Sequence, residues 1–439
     1  MAGSVLERLV DKAKAKDGHE LLLAVSQLDA RHFEPFEVLV AGIDVKECGY
    51  PEVAEQIFQK LVNAHGSYGP GHYELAVVLR NAGRPKRAMD HLLEARRCAP
   101  DDFRVLIFLA HMFYAMAAWP EAEAVIDSIR AADEDEQERI DALREFGLYL
   151  HDFSRGRAKY LVDEVRRNYD WIGTSQVADE IAAAIRDRRG FALIRLGDGE
   201  GAFAEVDAAD EARFSRLYGH IRKEWTEFLL GPEFDEAFSG YAATRRALMR
   251  VVAEADVLGV PYPSWVDHEY NISSLRGVPC TLNVHRNLLA QPPAIKPKLC
   301  DQIVHIHLHN ENRIEPILRG IGKVTLITCL TGLPDLLKRR FELDEVEVIA
   351  VPREYTAPHL TDGKHAIGGE HYPFVFWDVI KQLSQPWEGR VFLVAAGTFG
   401  KFYAAFIKRN GGIALDLGSL VDGWMKLPSR AGYGDELAL

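Results

Sequence analysis

The chain has 439 residues, 48% hydrophobic and 27% charged, with a formal net charge of −13. That length predicts two or three domains rather than one core. The composition excludes a disordered or collagen-like chain, and the acidic balance argues against nucleic acid as a partner, since that binding rests on Lys and Arg. No run of about 18 apolar residues is present, so no membrane-spanning helix is predicted. Five scattered cysteines (Cys48, Cys98, Cys280, Cys300, Cys329) read as reduced thiols in the cytoplasm rather than a zinc cluster.

The opening stretch, MAGSVLERLVDKAKAKDG, reads as an amphipathic helix and lacks the apolar centre of a signal peptide. An internal period follows. Ala54, Ala88 and Ala122 stand 34 residues apart. Gly49 and Gly83 keep that register, with Ala117 in the third copy. Phe58, Leu92 and Ile126 match as large apolar positions, and Leu61, Ala95 and Ile129 match three residues later. Small residues allow two helices of a hairpin to approach, and glycine ends a helix where a left-handed conformation is needed. The middle copy, YELAVVLRNAGRPKRAMDHLLEARRCAPDD, resembles a tetratricopeptide repeat at Leu75, Ala76, Leu79, Gly83, Ala88, Leu92, Ala95 and Pro100. The period predicts stacked helical hairpins over residues 1–135, with one degenerate hairpin before residue 40. Such an array either binds a protein partner, an acceptor or a second copy of the chain, or is a structural extension.

Residues 136–172 are charged and helical in period, and read as a cap or linker. From residue 173 the rhythm changes. SQVADEIAAAIRDRRG predicts a helix capped by Ser175 and stopped by Gly190. Apolar runs predict strands at FALIR, DVLGVPY, IVHIHLH, KVTLITCL, VEVIAVP, RVFLVAAG and GGIALDLG. Between them lie helical stretches: DEARFSRLYGHIRKEW, TRRALMRVVAEA, LPDLLKRRF, PFVFWDVIKQL and GKFYAAFIKRN. The basic pieces RRALMR and KRRF read as solvated helix faces. The alternation predicts a Rossmann-like, mostly parallel α/β domain over 173–439, with ligands at the carboxyl ends of strands.

FALIRLGDGE puts Arg195, Gly197, Asp198, Gly199 and Glu200 at such an end. Two carboxylates one residue apart can converge on one hard cation, Mg²⁺ or Mn²⁺. Glycines beside them let a diphosphate approach the backbone, and Arg195 can add a charge-assisted contact to phosphate. The same pattern also makes an ordinary turn or helix cap.

LIRLGDGEGAF resembles the signature of glycosyltransferases with the GT-D type of fold, with Leu196 where that family usually has Phe. KVTLITCLTGLPDLLKRRF with VEVIAVP, and VFLVAAGTFGKFYAAFIKRNGGIALDLGSL, are similar to later segments of the same family. The resemblance implies a cytoplasmic enzyme, free or peripheral at the inner membrane face. It also implies a UDP-sugar donor, Mn²⁺ or Mg²⁺ on Asp198 and Glu200, and a glycan or glycoprotein acceptor.

Further candidates lie downstream. In AAGTFGK, Gly397, Thr398 and Gly400 sit between strand and helix, either as a phosphate cradle with Lys401 or as a tight turn. His305, His307 and His309 fall on one face of the expected IVHIHLH strand, either as metal ligands or as half-buried polar groups. His309 and Asn310 end that strand and are placed to touch ligand. The long polar stretch EYTAPHLTDGKHAIGGEHYPF reads as a lid or a binding loop. Glu370 and His371 are its candidate bases for an acceptor hydroxyl, with Glu354, Asp362 and His365 competing. Tyr262, Trp265 and Tyr270 either stack on a base or sugar or pack. The sequence therefore points to a metal-dependent glycosyltransferase. The alternatives are a non-enzymatic helical-repeat scaffold with a degenerate nucleotide-binding domain and a metal-dependent phosphoester hydrolase.

Overall fold

The computed structural model describes residues 5–15, 17–235, 240–290, 295–357, 365–427 and 437, with the backbone alone for Asp198. The chain divides into two compact units: Met1–Gly147 with Tyr270–Ser274, and Leu148–Glu269 with Leu275–Leu439.

The first unit is helical. An opening pair, Val5–Lys14 and Gly18–Gln27, is followed by three hairpins: Pro35–Glu47 with Pro51–Ala64, Gly69–Asn81 with Pro85–Cys98, and Phe103–Ala115 with Trp119–Ser128. Corresponding helices begin 34 residues apart, as the sequence period predicts. Ala54, Ala88 and Ala122 are fully buried, because a larger side chain there would hold the paired helices apart. Each first helix ends in the same way. The N–H groups of Gly49, Gly83 and Ala117 donate to Lys46, Arg80 and Tyr114, and those of Tyr50, Arg84 and Ala118 donate to Val45, Leu79 and Phe113. This bond pair defines a Schellman turn and requires a left-handed residue. Gly49 and Gly83 supply it freely, while Ala117 adopts it at φ 56°.

The second unit is built, among the described residues, on seven parallel strands: β1 Phe191–Arg195, β2 Val257–Val260, β3 Lys298–Asp301, β4 Lys323–Thr328, β5 Glu345–Ala350, β6 Val391–Ala395 and β7 Ile413–Asp416. Their order is β3-β2-β1-β7-β6-β4-β5. β1, β2, β6 and β7 are buried almost throughout, which explains their near-continuous apolar sequences. One face carries a core with Leu248, Val284, Phe376 and Tyr403; the other carries Ile181, Leu308, Leu337 and Trp424. Connections toward the β3 edge cross the first face and those toward the β5 edge cross the second. One crossover hand throughout the sheet demands this arrangement. Among the described residues no helix is long and apolar enough to cross a membrane.

Several sequence expectations are corrected. IVHIHLH is not a strand: β3 is the preceding Lys298–Asp301, and Val304–Asn310 is a helix. Val304, His305 and Leu308 are its buried residues, a helical spacing that the alternation of apolar residues and histidines disguises. The helix Thr174–Asp187 is capped at Gly173, whose N–H donates to Gln176 Oε1, rather than by Ser175. It stops at Arg188, in the left-handed region, rather than at Gly190. DEARFSRLYGHIRKEW divides at Phe214 into Ala208–Arg213 and Ser215–Leu230. Among the described residues, the helices with no counterpart in the sequence reading include Pro263–Asn271 and the almost wholly buried Gly277–Ala290.

Candidate active site

β1 and β7 are neighbours near the middle of the sheet, and each ends in a charged residue, Arg195 and Asp416. Asp416 is the centre of the arrangement. Its Oδ2 accepts from the backbone N–H of Arg195 (3.1 Å) and from Lys401 Nζ (2.8 Å), and its Oδ1 accepts from Arg195 Nη2 (3.3 Å). Burial alone would raise this carboxyl. The charges of Lys401 and Arg195 outweigh it and hold Asp416 below the ordinary carboxylate value. Arg195 Nε donates to the Asp416 carbonyl (2.9 Å), and Nη1 donates to the Gln302 carbonyl (3.1 Å) and lies 2.9 Å from His305 Nδ1. Gly418 is glycine because a Cβ there would collide with Arg195 Nη2.

The Asp-Gly-Glu turn leaves β1 directly into a short helix, Asp198–Phe203, with Gly197 as its cap residue. Glu200 Oε2 accepts the Gly197 N–H (2.8 Å), and Oε1 lies 3.4 Å from Lys401 Nζ. Lys401 therefore bridges Glu200 and Asp416, and its side chain is only 6% exposed. Two cations and two carboxylates balance one another at the carboxyl edge of the sheet, which makes their burial tolerable. The turn is also walled. A Cβ on Gly199 would lie 3.0 Å from Trp225 Cη2, and one on Gly201 would collide with the Cys280 carbonyl.

The expected site residues thus divide. Gly197, Gly199, Glu200, Arg195 and Lys401 come together; Asp198 starts the helix, and its side chain lies outside the described residues. The sequence reading turns Arg195 toward phosphate, but each of its side-chain nitrogens is engaged by Asp416, Gln302 or His305. Lys401 is neither solvated nor turned toward an open cradle. In the turn before helix Phe399–Arg409, the N–H groups of Gly400 and Lys401 bond to Ala396 and Thr398 carbonyls, and Thr398 is buried. These two N–H groups therefore close the turn. Gly397 takes φ 53° against Glu354 Oε1, where a side chain would crowd the carboxylate.

His305, rather than His309 or Asn310, reaches the site. His309 Nδ1 accepts from Trp424 Nε1 (3.2 Å), and Asn310 is exposed at the helix end. Among the described residues no three His, Cys, Asp or Glu side chains gather as a metal centre, so the three histidines do not form one. His371 sits in the core with its Nε2 2.7 Å from Tyr403 Oη, and burial pushes it down to about 4. A group so enclosed is poorly placed to take a proton from an acceptor. Glu370 is exposed beside it, and Asp362 lies outside the described residues. His365 and Ala366 join the long loop to the edge: the Thr331 N–H donates to the His365 carbonyl, and Ala366 forms a bridge with Leu330. Tyr262, which is exposed, and Trp265, half-buried, pair with Trp171 and His268, and Tyr270 is buried. Asp416, His305 and Trp225 escape the sequence reading as groups at this edge. Only Asp416 leaves a signal there, as an acid closing a buried strand two residues before a glycine.

A cavity of about 730 Å³ opens elsewhere, at the amino ends of β2 and β3. Of the cations that line it, Lys298, Lys408 and Arg409 pair with Glu180, Asp256 and Glu254, and Arg409 closes a helix C-terminus as charge complementarity favours.

Comparison with known proteins gives one family match: a model described as a GT-D fold-like domain covers residues 172–351. The stretch contains β1 to β5 and the Asp198–Glu200 turn, but not Lys401 or Asp416. No curated protein matches the chain. Among solved structures, a mutant of Thermobaculum terrenum O-GlcNAc transferase is similar at 14% identity and a TM-score of 0.21, covering 95% of this chain and 76% of that one. At that score the likeness carries no argument about site or function.

Proposed function

We propose that the α/β unit is a glycosyltransferase that moves a sugar from a nucleotide-sugar, a UDP-sugar, to a glycan or glycoprotein acceptor. The observation that carries the reading is the position of the acidic turn. Asp198 and Glu200 follow a central strand at the carboxyl edge of a parallel sheet, within a stretch that matches a GT-D fold-like domain.

A divalent cation, Mn²⁺ or Mg²⁺, fits this reading. Glu200 uses one oxygen to cap its helix and shares the other with Lys401 at 3.4 Å. A carboxylate offers about four lone-pair sites, so Oε1 retains capacity for a metal. Mg²⁺ is commonly held by one or two carboxylates with water and substrate phosphates, so two ligands from the chain are enough for this reading. Asp198 and Glu200 would hold the ion, which when bound supplies Lewis-acid stabilisation of the leaving nucleoside diphosphate.

The chain's own residues set the geometry. Arg195 and Lys401 keep Asp416 ionised, and Lys401 fixes the direction of the Glu200 carboxylate. The Gly197 N–H holds its other oxygen, so the turn is set before a donor arrives. Glu370, exposed next to the buried His371, is the group we assign to take the proton of an acceptor hydroxyl. The test is a panel of UDP- and GDP-sugars with Mn²⁺. A transferase hydrolyses one of them slowly without acceptor; a phosphoester hydrolase cleaves simple phosphoesters instead, and a scaffold does neither.

A further inference from the structure

We infer that the cavity at the amino ends of β2 and β3 binds a phosphate monoester, with the phosphate on Arg250 and Lys296 and an apolar part against Ile295; the site is separate from the acidic turn and does not depend on the sugar-transfer reading. The cavity measures about 730 Å³, within the range of about 300–1,000 Å³ typical of ligand sites. Six Lys and Arg side chains line it against three carboxylates, an excess of three positive charges on a chain whose net charge is −13. A cleft with an excess of one sign concentrates ligands of the other. Two helices, Tyr241–Val252 and Phe399–Arg409, end at its wall. Each helix end carries about half a negative charge, so together they offset only about one of the three. What remains suits a phosphate monoester, with a charge of about −1.5 to −2 near pH 7, better than a single carboxylate.

The cations divide by what they touch. Lys298, Lys408 and Arg409 hold the three carboxylates, and Arg189 shares two of them, 3.5 Å from Glu180 and 3.8 Å from Asp256. Lys296 has a neutral partner instead: its Nζ donates to the Asn168 carbonyl (2.9 Å) and lies 5.1 Å from the centroid of the Tyr169 ring. Arg250, exposed in the last turn of its helix, makes no ion pair among the described residues. A guanidinium presents its N–H donors as a planar fork that matches phosphate oxygens, and an ammonium adds a point charge. Beside Lys296, Ile295 is 86% exposed, and Val252, Leu258 and Leu288 line the same cavity. An organic group seated there takes apolar surface out of water, which inorganic phosphate cannot do. The acidic turn lies at the other end of β1, about 15 Å of strand away.

The experiment is calorimetry of the full chain with phenyl phosphate, inorganic phosphate, benzoate and phenol. Phenyl phosphate is expected to bind most tightly and inorganic phosphate more weakly, with benzoate and phenol weaker still. Arg250→Gln is expected to weaken phenyl phosphate at least ~10-fold, the scale of one charge-assisted contact. Lys296→Gln should weaken it less, since that ammonium is already shared with a carbonyl. Ala253 lines the cavity, so Ala253→Trp should fill it and abolish binding while the melting curve stays cooperative. Vesicles of phosphatidic acid, run beside the free esters, tell a lipid headgroup from a soluble ester; binding that Arg250→Gln weakens supports the site from either source. Phenyl phosphate affinity unchanged in Arg250→Gln, phenol bound as tightly as phenyl phosphate, or a wild type that binds no phosphate would overturn the inference. Each of these results leaves donor hydrolysis at the acidic turn to be decided separately.

Discussion

Lys401 Nζ donates to Asp416 Oδ2 at 2.8 Å, and the two side chains are 6% and 3% exposed. This pair joins the helix after β6 to the end of β7, and through the second contact of Lys401 it reaches the acidic turn after β1.

Asp416→Asn should therefore be costly. It leaves Lys401 and Arg195 buried against a neutral amide, and removing one partner of a buried ion pair costs about 3–5 kcal/mol. The urea midpoint at pH 7 measures it, and a loss below about 1 kcal/mol would contradict the network's role. The pH dependence has a definite sign. Asp416 is held below its ordinary 3.8, so its contribution is complete above that pH and is lost as acid takes the protein below it. The variant should lack that part of the acid limb.

Ala117→Gly should stabilise the first unit by about 1 kcal/mol, because a left-handed non-glycine residue costs about 1–2 kcal/mol and glycine returns part of this as chain entropy. Ala117 holds φ 56° where the equivalent turns use Gly49 and Gly83. The reverse change, Gly83→Ala, should destabilise by a similar amount, with open space around the new methyl leaving backbone strain as the cause. Thermal melts of both variants check the pair; equal midpoints would show that the third turn bears no strain.

His285 is fully buried, and neither ring nitrogen has a hydrogen-bond partner among the described residues. Burial pushes it down to about 4. The unfolded chain takes up this proton near pH 6.5, so stability is complete above that value and falls as the pH drops toward 4. At pH 5 the loss is about 2 kcal/mol, since one pKa unit corresponds to about 1.4 kcal/mol. His371, displaced in the same direction, adds to the slope. His285→Leu should raise stability at pH 7 by about 1–2 kcal/mol, by removing two unsatisfied polar atoms, and should flatten the fall between pH 7 and 5. Urea midpoints at both pH values test it; an unchanged slope would place the proton elsewhere.

The fold is legible where one rule governs a segment. The 34-residue spacing of Ala54, Ala88 and Ala122 reports helix-to-helix contact directly, and six of the seven strands announce themselves as apolar runs. Where two rules compete, the reading fails. Val304, Ile306 and Leu308 alternate with histidines as a strand would, yet one turn of helix buries Val304 and Leu308 together. Lys298–Asp301 is too short and too charged at its ends to be seen without its neighbour β2. In the site, proximity along the chain exposes Asp198 and Glu200. The partners of Glu200 lie about two hundred residues away, and a lone lysine or aspartate at such a separation carries no local pattern. Lys401 is visible beside its glycines, but its pairing with Asp416 arises only from the adjacency of β6, β7 and β1.

Sugar transfer from a nucleotide is the role proposed for the acidic turn. Its most direct test is the hydrolysis of a UDP-sugar panel in Mn²⁺ by the wild type, Asp198→Asn and Glu200→Gln, with melting curves recorded on the same samples. Turnover of at least one donor by the wild type is expected, with a fall of ~100-fold or more in each variant, the scale on which loss of a preorganised electrostatic group is felt, and with folding retained. Undiminished turnover in both folded variants, or a wild type inert toward every donor, would contradict it.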